Sequence, residues 1–533
     1  MTQTQAKFTF AHLAIALPLC LGSISYGYDF SIITTTVGQP TWYAYMGLTL
    51  DPTDAELYAY TNRMTGTVFG LFSAGAIFGS LFVSWLCDAY GRKMSLLVAA
   101  LINIVGGALQ TGSVHIGMFI VARFVTGFAA AMLVTLVPLY VAEVAPPATR
   151  GLLVGQHGGF FLFGYTIAAW VGIGAFFSEN AQFNWRFPLA LQVLWPILLC
   201  CFLPKLPESP RWLVSKGRTD EAWKVISSLH HDPKDPSQLF AREELLQITS
   251  QYEADTAAYG KATFIDMWRK RHMRKRMLIG SLIMWASQAN GAIVIYSNIV
   301  GLVTGLGFSA SESLLLSAGW ITWACVGNFA NAWFLDRLGR IRSLLIGISG
   351  CVVFVIIEAA IVKNYGASSN KAALAAGVAM LFGFITFYGG FVDTTVYVYC
   401  SEIFPTHVRA KGTGWCLAIF FLSTLPFLES STVGFSTIGW KYYLLFIILP
   451  SVNVLLLALF CPETRGLSLE EINGLFGDTV AVRLTHLTAE EKDVLDARVL
   501  RDVGCIESGS GSDGAGEGET PDSKGKSSLS LKA

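Results

Sequence analysis

The stretch from Gly79 to Ser95, GSLFVSWLCDAYGRKMS, ends one apolar run, opens another, and has a second copy further along the chain. No Asp, Glu, Lys or Arg occurs from Met64 through Cys87; Asp88, Arg92 and Lys93 then arrive around Gly91, and Met94 begins a run free of those four types until Arg123. A tight charged hairpin between two membrane-length helices satisfies this pattern, because the runs are too apolar for water and the charges too costly for hydrocarbon. The second copy runs from Gly327 to Ser343, GNFANAWFLDRLGRIRS, with Gly79/Gly327, Asp88/Asp336, Gly91/Gly339 and Arg92/Arg340 all 248 residues apart. Glu143-Val144-Ala145-Pro146 with Arg150 likewise returns as Glu402-Ile403-Phe404-Pro405 with Arg409, and Pro207-Glu208-Ser209 as Pro462-Glu463-Thr464. Three signatures in one order at nearly one offset make the chain two copies of one half.

With 53% hydrophobic and 14% charged residues over 533 positions, the chain has too little polar surface to cover a soluble globule of its size. Apolar stretches of about 20 residues, enough to cross a ~30 Å hydrocarbon core, lie near 11–36, 64–87, 94–114, 116–141, 151–177, 187–204, 277–304, 313–335, 343–362, 374–400, 412–435 and 441–461. They predict an all-α membrane protein of twelve spans, six per half. A formal net charge of zero argues against a nucleic-acid partner. The cysteines fall mostly inside apolar runs, where a thiol acts as a small hydrophobe, and they give neither a disulfide framework nor a metal spacing. The start, MTQTQAKFTF, lacks a cleavable-signal pattern, so the first apolar helix, which carries Asp29, is expected to be retained.

The predicted domains are a six-helix half over 1–204, a linker with short helices over 205–276, a second half over 277–478, and a largely disordered tail over 479–533. With both termini in the cytoplasm, the inner loops carry Arg92, Lys93, Arg150, Arg337, Arg340, Arg342, Arg409 and Lys411, as the positive-inside rule requires. In the linker, Asp220 to Trp223 and Arg242 to Leu246 read as parts of amphipathic helices. Its basic end, Arg269-Lys270-Arg271 and Arg274-Lys275-Arg276, is expected at anionic lipid headgroups. The tail from about Ile506 is Gly/Ser-rich, as disordered segments are.

These features, with Gly27-Tyr28-Asp29, Arg123, Pro138 to Glu143, Trp185-Arg186, Pro207-Glu208-Ser209-Pro210-Arg211-Trp212-Leu213 and Pro462-Glu463-Thr464-Arg465-Gly466, resemble the sugar porter family of the major facilitator superfamily, above all its fungal branches. The resemblance spans residues 20 to about 475. It implies a twelve-helix fold working by alternating access, a central site for a sugar or polyol, and residence in the plasma membrane. It also implies a cytoplasmic gate of Asp88, Arg92, Glu143 and Arg150 in one half and Asp336, Arg340, Glu402 and Arg409 in the other, able to latch the inner side shut. In proton-coupled members an acid at the position of Asp29 faces an arginine at the position of Arg123, which would make the proton a second partner; a static pair between two helices is the alternative.

The family's sugar-contacting pattern is only partly kept. Helix seven offers Gln288 and Asn290, helix five Gln156 and His157, helix ten Asp393 and Tyr397 in place of a Gly-Pro-x-Pro-Trp segment, and helix eleven Thr424. Each of these polar residues could instead bond a neighbouring helix. The expectation is a secondary transporter of a sugar or related polyol, coupled to protons, with a facilitative carrier and an exporter of a non-sugar metabolite as rivals. No paired nucleophile and base, P-loop or metal spacing occurs, so neither an enzyme nor a cofactor is implied.

Overall fold

The computed structural model describes residues 10–51, 53–146, 149–230, 238–260, 263–305, 308–365 and 370–483, with 490–491, 494 and 496 beyond. The Gly/Ser-rich tail from about Ile506 lies outside the described residues, which contain helices and no strand. Residues 486–533 form a unit of their own, separate from residues 1–485.

Among the described residues, twelve helices are long and apolar enough to cross a membrane: His12–Val37, Ala55–Tyr90, Arg92–Thr111, Ile116–Val144, Arg150–Phe176, Phe183–Lys205, Arg271–Thr304, Glu312–Leu338, Arg340–Tyr365, Ala375–Glu402, Arg409–Ser431 and Gly439–Phe460. They are called spans one to twelve below. The second begins earlier than its apolar run suggests, because Asp54 accepts a hydrogen bond from the Leu57 amide and caps a helix that starts at Ala55. Gly91 and Gly339 join the hairpin helices at φ of +90° and +95°, which side chains with a Cβ rarely adopt. This fixes glycine at both copies of the turn.

Lipid is met by large apolar side chains such as Phe78 and Trp85 on span two, Val353 and Ile356 on span nine, and Leu455 and Leu459 on span twelve, all exposed. Inside, small residues let helices approach closely. A Cβ on Gly27 would lie 1.9 Å from the Phe161 carbonyl oxygen, and one on Gly164 would lie 2.4 Å from that of Ile24, so spans one and five touch backbone to backbone. Gly75, Gly79 and Gly127 do the same for spans two and four, against Phe124, Phe128 and Phe72.

Two spans are broken where the cavity lies. Span seven consists of Arg271–Ala289 and Ala292–Gly305, separated at Gly291 with φ +84°. Span ten runs as an α-helix to Phe387, takes a π-helical turn over Tyr388–Val392, and resumes over Asp393–Glu402. Such turns widen a helix locally and recur at functional sites.

The linker forms helices Pro210–Ser215, Thr219–Leu229, Leu239–Tyr259 and Phe264–Arg269. The third is much longer than the expected fragment. It also captures the first residues of the expected free tail: Gln251 Nε2 donates to Thr479 O at 3.1 Å and its Oε1 accepts from the Ala481 amide at 2.9 Å, while Gln247 Nε2 donates to Val482 O at 3.0 Å. The basic end of the linker does not all reach headgroups. Arg276 is buried, donates to Ile403 O at 2.6 Å and Asn473 Oδ1 at 3.0 Å, and is paired with Asp478.

Because the contact at Gly27 is with backbone, neither partner can give way to a methyl group. Gly27→Ala is expected to lower the yield of folded, monodisperse protein severely, whereas Gly174→Ala, whose Cβ meets nothing within 4 Å, is neutral. Size-exclusion profiles of detergent extracts compare the two.

Candidate transport site and linker-face gate

On the face of the membrane that carries the linker, the repeated signatures build two matching clusters. Glu143 accepts from Arg92 Nε at 2.8 Å and Nη2 at 2.7 Å, and from Ser209 Oγ at 2.5 Å. Glu402 accepts from Arg340 Nε at 3.2 Å and Nη2 at 2.8 Å, and from Thr464 Oγ1 at 2.8 Å. The following acid caps the neighbouring helix: Glu208 accepts from the amides of Arg92 and Lys93, and Glu463 from those of Arg340 and Ile341. Tyr140 and Tyr399 donate to the carbonyls of Pro207 and Pro462.

These clusters cross between the halves. Arg409 Nη1 lies 3.8 Å from Glu143 Oε1, and Arg150 Nη1 lies 4.0 Å from Glu402 Oε1. Asp336 reaches the start of span five, accepting from the Gly151 and Leu152 amides at 3.0 and 2.9 Å while pairing with Arg340 at 3.1 Å. Asp88 lies near Arg92, as expected, but its ion pair is with Lys411 Nζ at 3.0 Å, at the start of span eleven, because the Arg92 side chain is committed to Glu143. Arg211 adds a tie from the linker to Glu470 at 3.0 Å. Burial alone would push the Glu470 carboxyl up, but Arg211, with Arg409 and Arg150 near, holds it below the ordinary carboxylate range.

Deeper in the bilayer, spans one, five, seven, eight, ten and eleven surround a central cavity. Tyr26, Phe30, Phe161, Tyr165, Tyr296, Trp320, Tyr388, Tyr397 and Phe420 supply its aromatic walls, and Gln288, Asp393 and Thr424 its other polar side chains. Thr424 Oγ1 donates to Gln288 Oε1 at 3.1 Å, and Gln288 Nε2 to Ser287 Oγ at 3.2 Å. Asp393 Oδ2 accepts from Asn328 Nδ2 at 3.3 Å, and Thr394 Oγ1 donates to Asn328 Oδ1 at 2.6 Å. On the side away from the linker, Ser31 Oγ and Tyr296 OH meet at 2.6 Å and Trp170 Nε1 donates to Thr322 Oγ1 at 3.1 Å, so the halves also touch there.

Of the expected substrate residues, Gln288, Asp393, Tyr397 and Thr424 line the cavity. Gln156 instead donates to Leu152 O, one turn back on its own helix, at 3.1 Å. His157 is buried behind the wall, with Nδ1 2.8 Å from Ser23 Oγ and its ring packed edge-on to Tyr397 at 5.0 Å. Asn290 is buried at the break in span seven, and neither amide atom has a hydrogen-bond partner.

Asp29 and Arg123 are both buried and adjacent, yet they do not pair as expected. Arg123 Nη1 donates to the main-chain carbonyl of Asp29 at 2.9 Å, and its guanidinium lies over the Phe72 ring at 4.2 Å. The Asp29 carboxylate accepts from Asn103 Nδ2 at 2.7 Å through one oxygen, and the other oxygen has no hydrogen-bond partner. Asn103 was legible only as an amide in the apolar run of span three, and Asn328 and Glu470 were likewise missed; the cavity tyrosines carry no signal that separates them from lipid-facing aromatics.

Removing the charge of Asp336 or Asp88 weakens contacts between halves worth about 1.5–3 kcal/mol where a charged group is bonded. Asp336→Asn and Asp88→Asn are expected to insert normally, slow turnover, and raise maleimide labelling of Cys325, which is buried against the Gly159 carbonyl at 3.6 Å between spans eight and five. Labelling and turnover unchanged in both variants reduce these acids to topological anchors.

Comparison with known proteins agrees with this architecture. The profile of the family described as "Sugar (and other) transporter" matches residues 15–476. The "MFS-type transporter criB" of Aspergillus cristatus is 30% identical over 488 residues, 90% of this chain and 98% of that one. The "Sugar transporter STL1" of Saccharomyces cerevisiae is 27% identical over 472 residues, 87% of this chain and 80% of that one. The solved structure of the proton:xylose symporter XylE bound to 6-bromo-6-deoxy-D-glucose has the same fold, with a TM-score of 0.76 at 20% identity, covering 87% of this chain and 99% of that one. The chain therefore belongs to the sugar porter family of the major facilitator superfamily, and is a multi-pass membrane transporter rather than an enzyme.

Proposed function

We propose that this protein is a proton-coupled secondary transporter that carries a solute the size of a sugar or cyclic polyol through the central cavity by alternating access. In this reading the linker face is cytoplasmic, as the charge bias of the loops favours, and the membrane is the plasma membrane. Gln288, Asp393, Tyr397 and Thr424 contact the solute, and the Asp88/Asp336 clusters form the inner gate.

The observation that carries the coupling is the arrangement at Asp29. A buried intramembrane acid needs a proton, a cation or water beside it. Here the nearest cation is parked on the main-chain carbonyl of the same residue, so one swing of Arg123 exchanges a carboxyl carrying a proton for an ion pair. A fixed carrier would be expected to hold the carboxylate and guanidinium bonded in both states. The relatives named as a sugar transporter and a proton:xylose symporter support the same reading.

Asp29→Asn is therefore expected to abolish accumulation against a gradient and its dependence on external pH while leaving counterflow exchange measurable, since the amide mimics a permanently protonated acid. Arg123→Ala is expected to be more damaging than Asp29→Asn. The double variant loses less than the two effects combined, as coupled sites do. Tracer uptake with and without a protonophore in reconstituted vesicles measures this, and full proton-driven accumulation by Asp29→Asn would sink the symport reading.

A further inference from the structure

The cavity's walls say more about the solute than its size does. Half of the eighteen residues that line it are aromatic, while the non-aromatic polar side chains are three, and two of these, Gln288 and Thr424, are bonded to each other. A hexose presents a hydroxyl on nearly every carbon, and each hydroxyl taken from water without a partner costs about 1–3 kcal/mol. Phenolic hydroxyls could answer some of these groups, but the tyrosine of the broken span seven, Tyr296, is already bonded to Ser31.

The rings are held in place. Phe161 packs edge-on to Tyr26 at 5.8 Å and to Tyr397 at 5.7 Å, and Tyr397 is backed by His157. Trp320 is fixed by its indole N–H donating to Leu381 O at 2.9 Å, so its ring rather than its polar edge serves the wall. Preformed aromatic faces of this kind favour a flat ring stacked or packed edge-on, with little ordering left to be done on binding. Among these walls stands Asp393, placed by the π-helical turn; the amide of Asn328 is its hydrogen-bond donor, and no basic side chain among the described residues pairs with it.

Resting on the proposed transport function of this cavity, we infer that its solute carries a planar aromatic ring with one or two hydrogen-bond donors that Asp393 accepts, rather than being a bare hexose. Phenols and arylalkyl alcohols have this chemistry. Gln288 and Thr424 then bond a single polar substituent at the other side of the ring.

Binding to the purified full-length protein in nanodiscs tests this without requiring transport or coupling. The probes are D-glucose, tyrosol and 2-phenylethanol, each titrated calorimetrically at one pH. Tyrosol or 2-phenylethanol is expected to bind at least tenfold more tightly than D-glucose. Asp393→Asn is expected to weaken the aryl probe severalfold, and Tyr388→Leu, which keeps an apolar wall but removes the ring, to weaken the aryl probe by a larger factor than it weakens D-glucose. D-glucose binding as tightly as both aryl probes, or no heat from either aryl probe, overturns the inference, and proton-driven glucose uptake would then leave the transport reading standing. Aryl binding without proton-dependent uptake does the reverse.

Discussion

Two carboxylates buried at the linker face, Glu143 and Glu402, constrain everything around them. A desolvated acid must be bonded on nearly all sides or it costs several kcal/mol. Each takes a two-point grip from the arginine of its own half and a hydroxyl from the chain that leaves the half, at 2.5–3.2 Å. The arginine from the opposite half stands further off, at 3.8 and 4.0 Å, with nitrogens on Arg150 and Arg409 that make no hydrogen bond. The inequality suits the proposed inner gate. Were the halves to part there, each acid would keep its short bonds and give up only the long one, and the groups losing a partner would be the guanidinium groups of Arg150 and Arg409.

That arrangement explains how far the sequence could be read. Residues that satisfy a buried charge repeat in both copies at nearly one offset, because the same problem is solved twice: Arg92 and Arg340, Glu143 and Glu402, Ser209 and Thr464. Span number followed from the length of the apolar runs, since a bilayer sets one length scale. Asp88 and Asp336 were read as a pair, yet they solve different problems. Asp336 caps span five with its backbone amides, and Asp88 finds a lysine; side-chain reach across an interface is not written in the spacing of either hairpin.

The site was harder to read for a physical reason. Its polar residues are single amides, hydroxyls and acids on different spans, and one such residue in an apolar helix looks the same whether it faces a cavity, a neighbour or its own backbone. Gln156 bonds its own helix, and His157 braces a wall from behind, although both sit beside residues that line the space. The apolar part of the cavity is still less visible, because a tyrosine facing the cavity and one facing a packed helix differ only in what the other half brings opposite. Asp29 and Arg123 were legible as intramembrane charges, but not the detail that the guanidinium takes the carbonyl and leaves the carboxylate to Asn103.

The cavity and the linker-face clusters, the proposed gate, are joined by helices that reach both. The last segment of span ten begins at Asp393 on the cavity, passes Tyr397 in its wall and ends at Glu402 in the gate, a rise of roughly 13 Å at 1.5 Å per residue. Span five runs the other way, from Arg150 and Gly151 in the gate to Phe161 and Tyr165 at the cavity. Span four ties Arg123, beside Asp29, to Glu143. A solute that draws Asp393 and Phe161 together therefore also bears on the contacts of Glu402 and Gly151, because a packed helix transmits displacement as a rigid rod over such lengths. The π-helical turn of span ten sits just before this segment and supplies a joint about which the segment can turn without breaking the rest of the span.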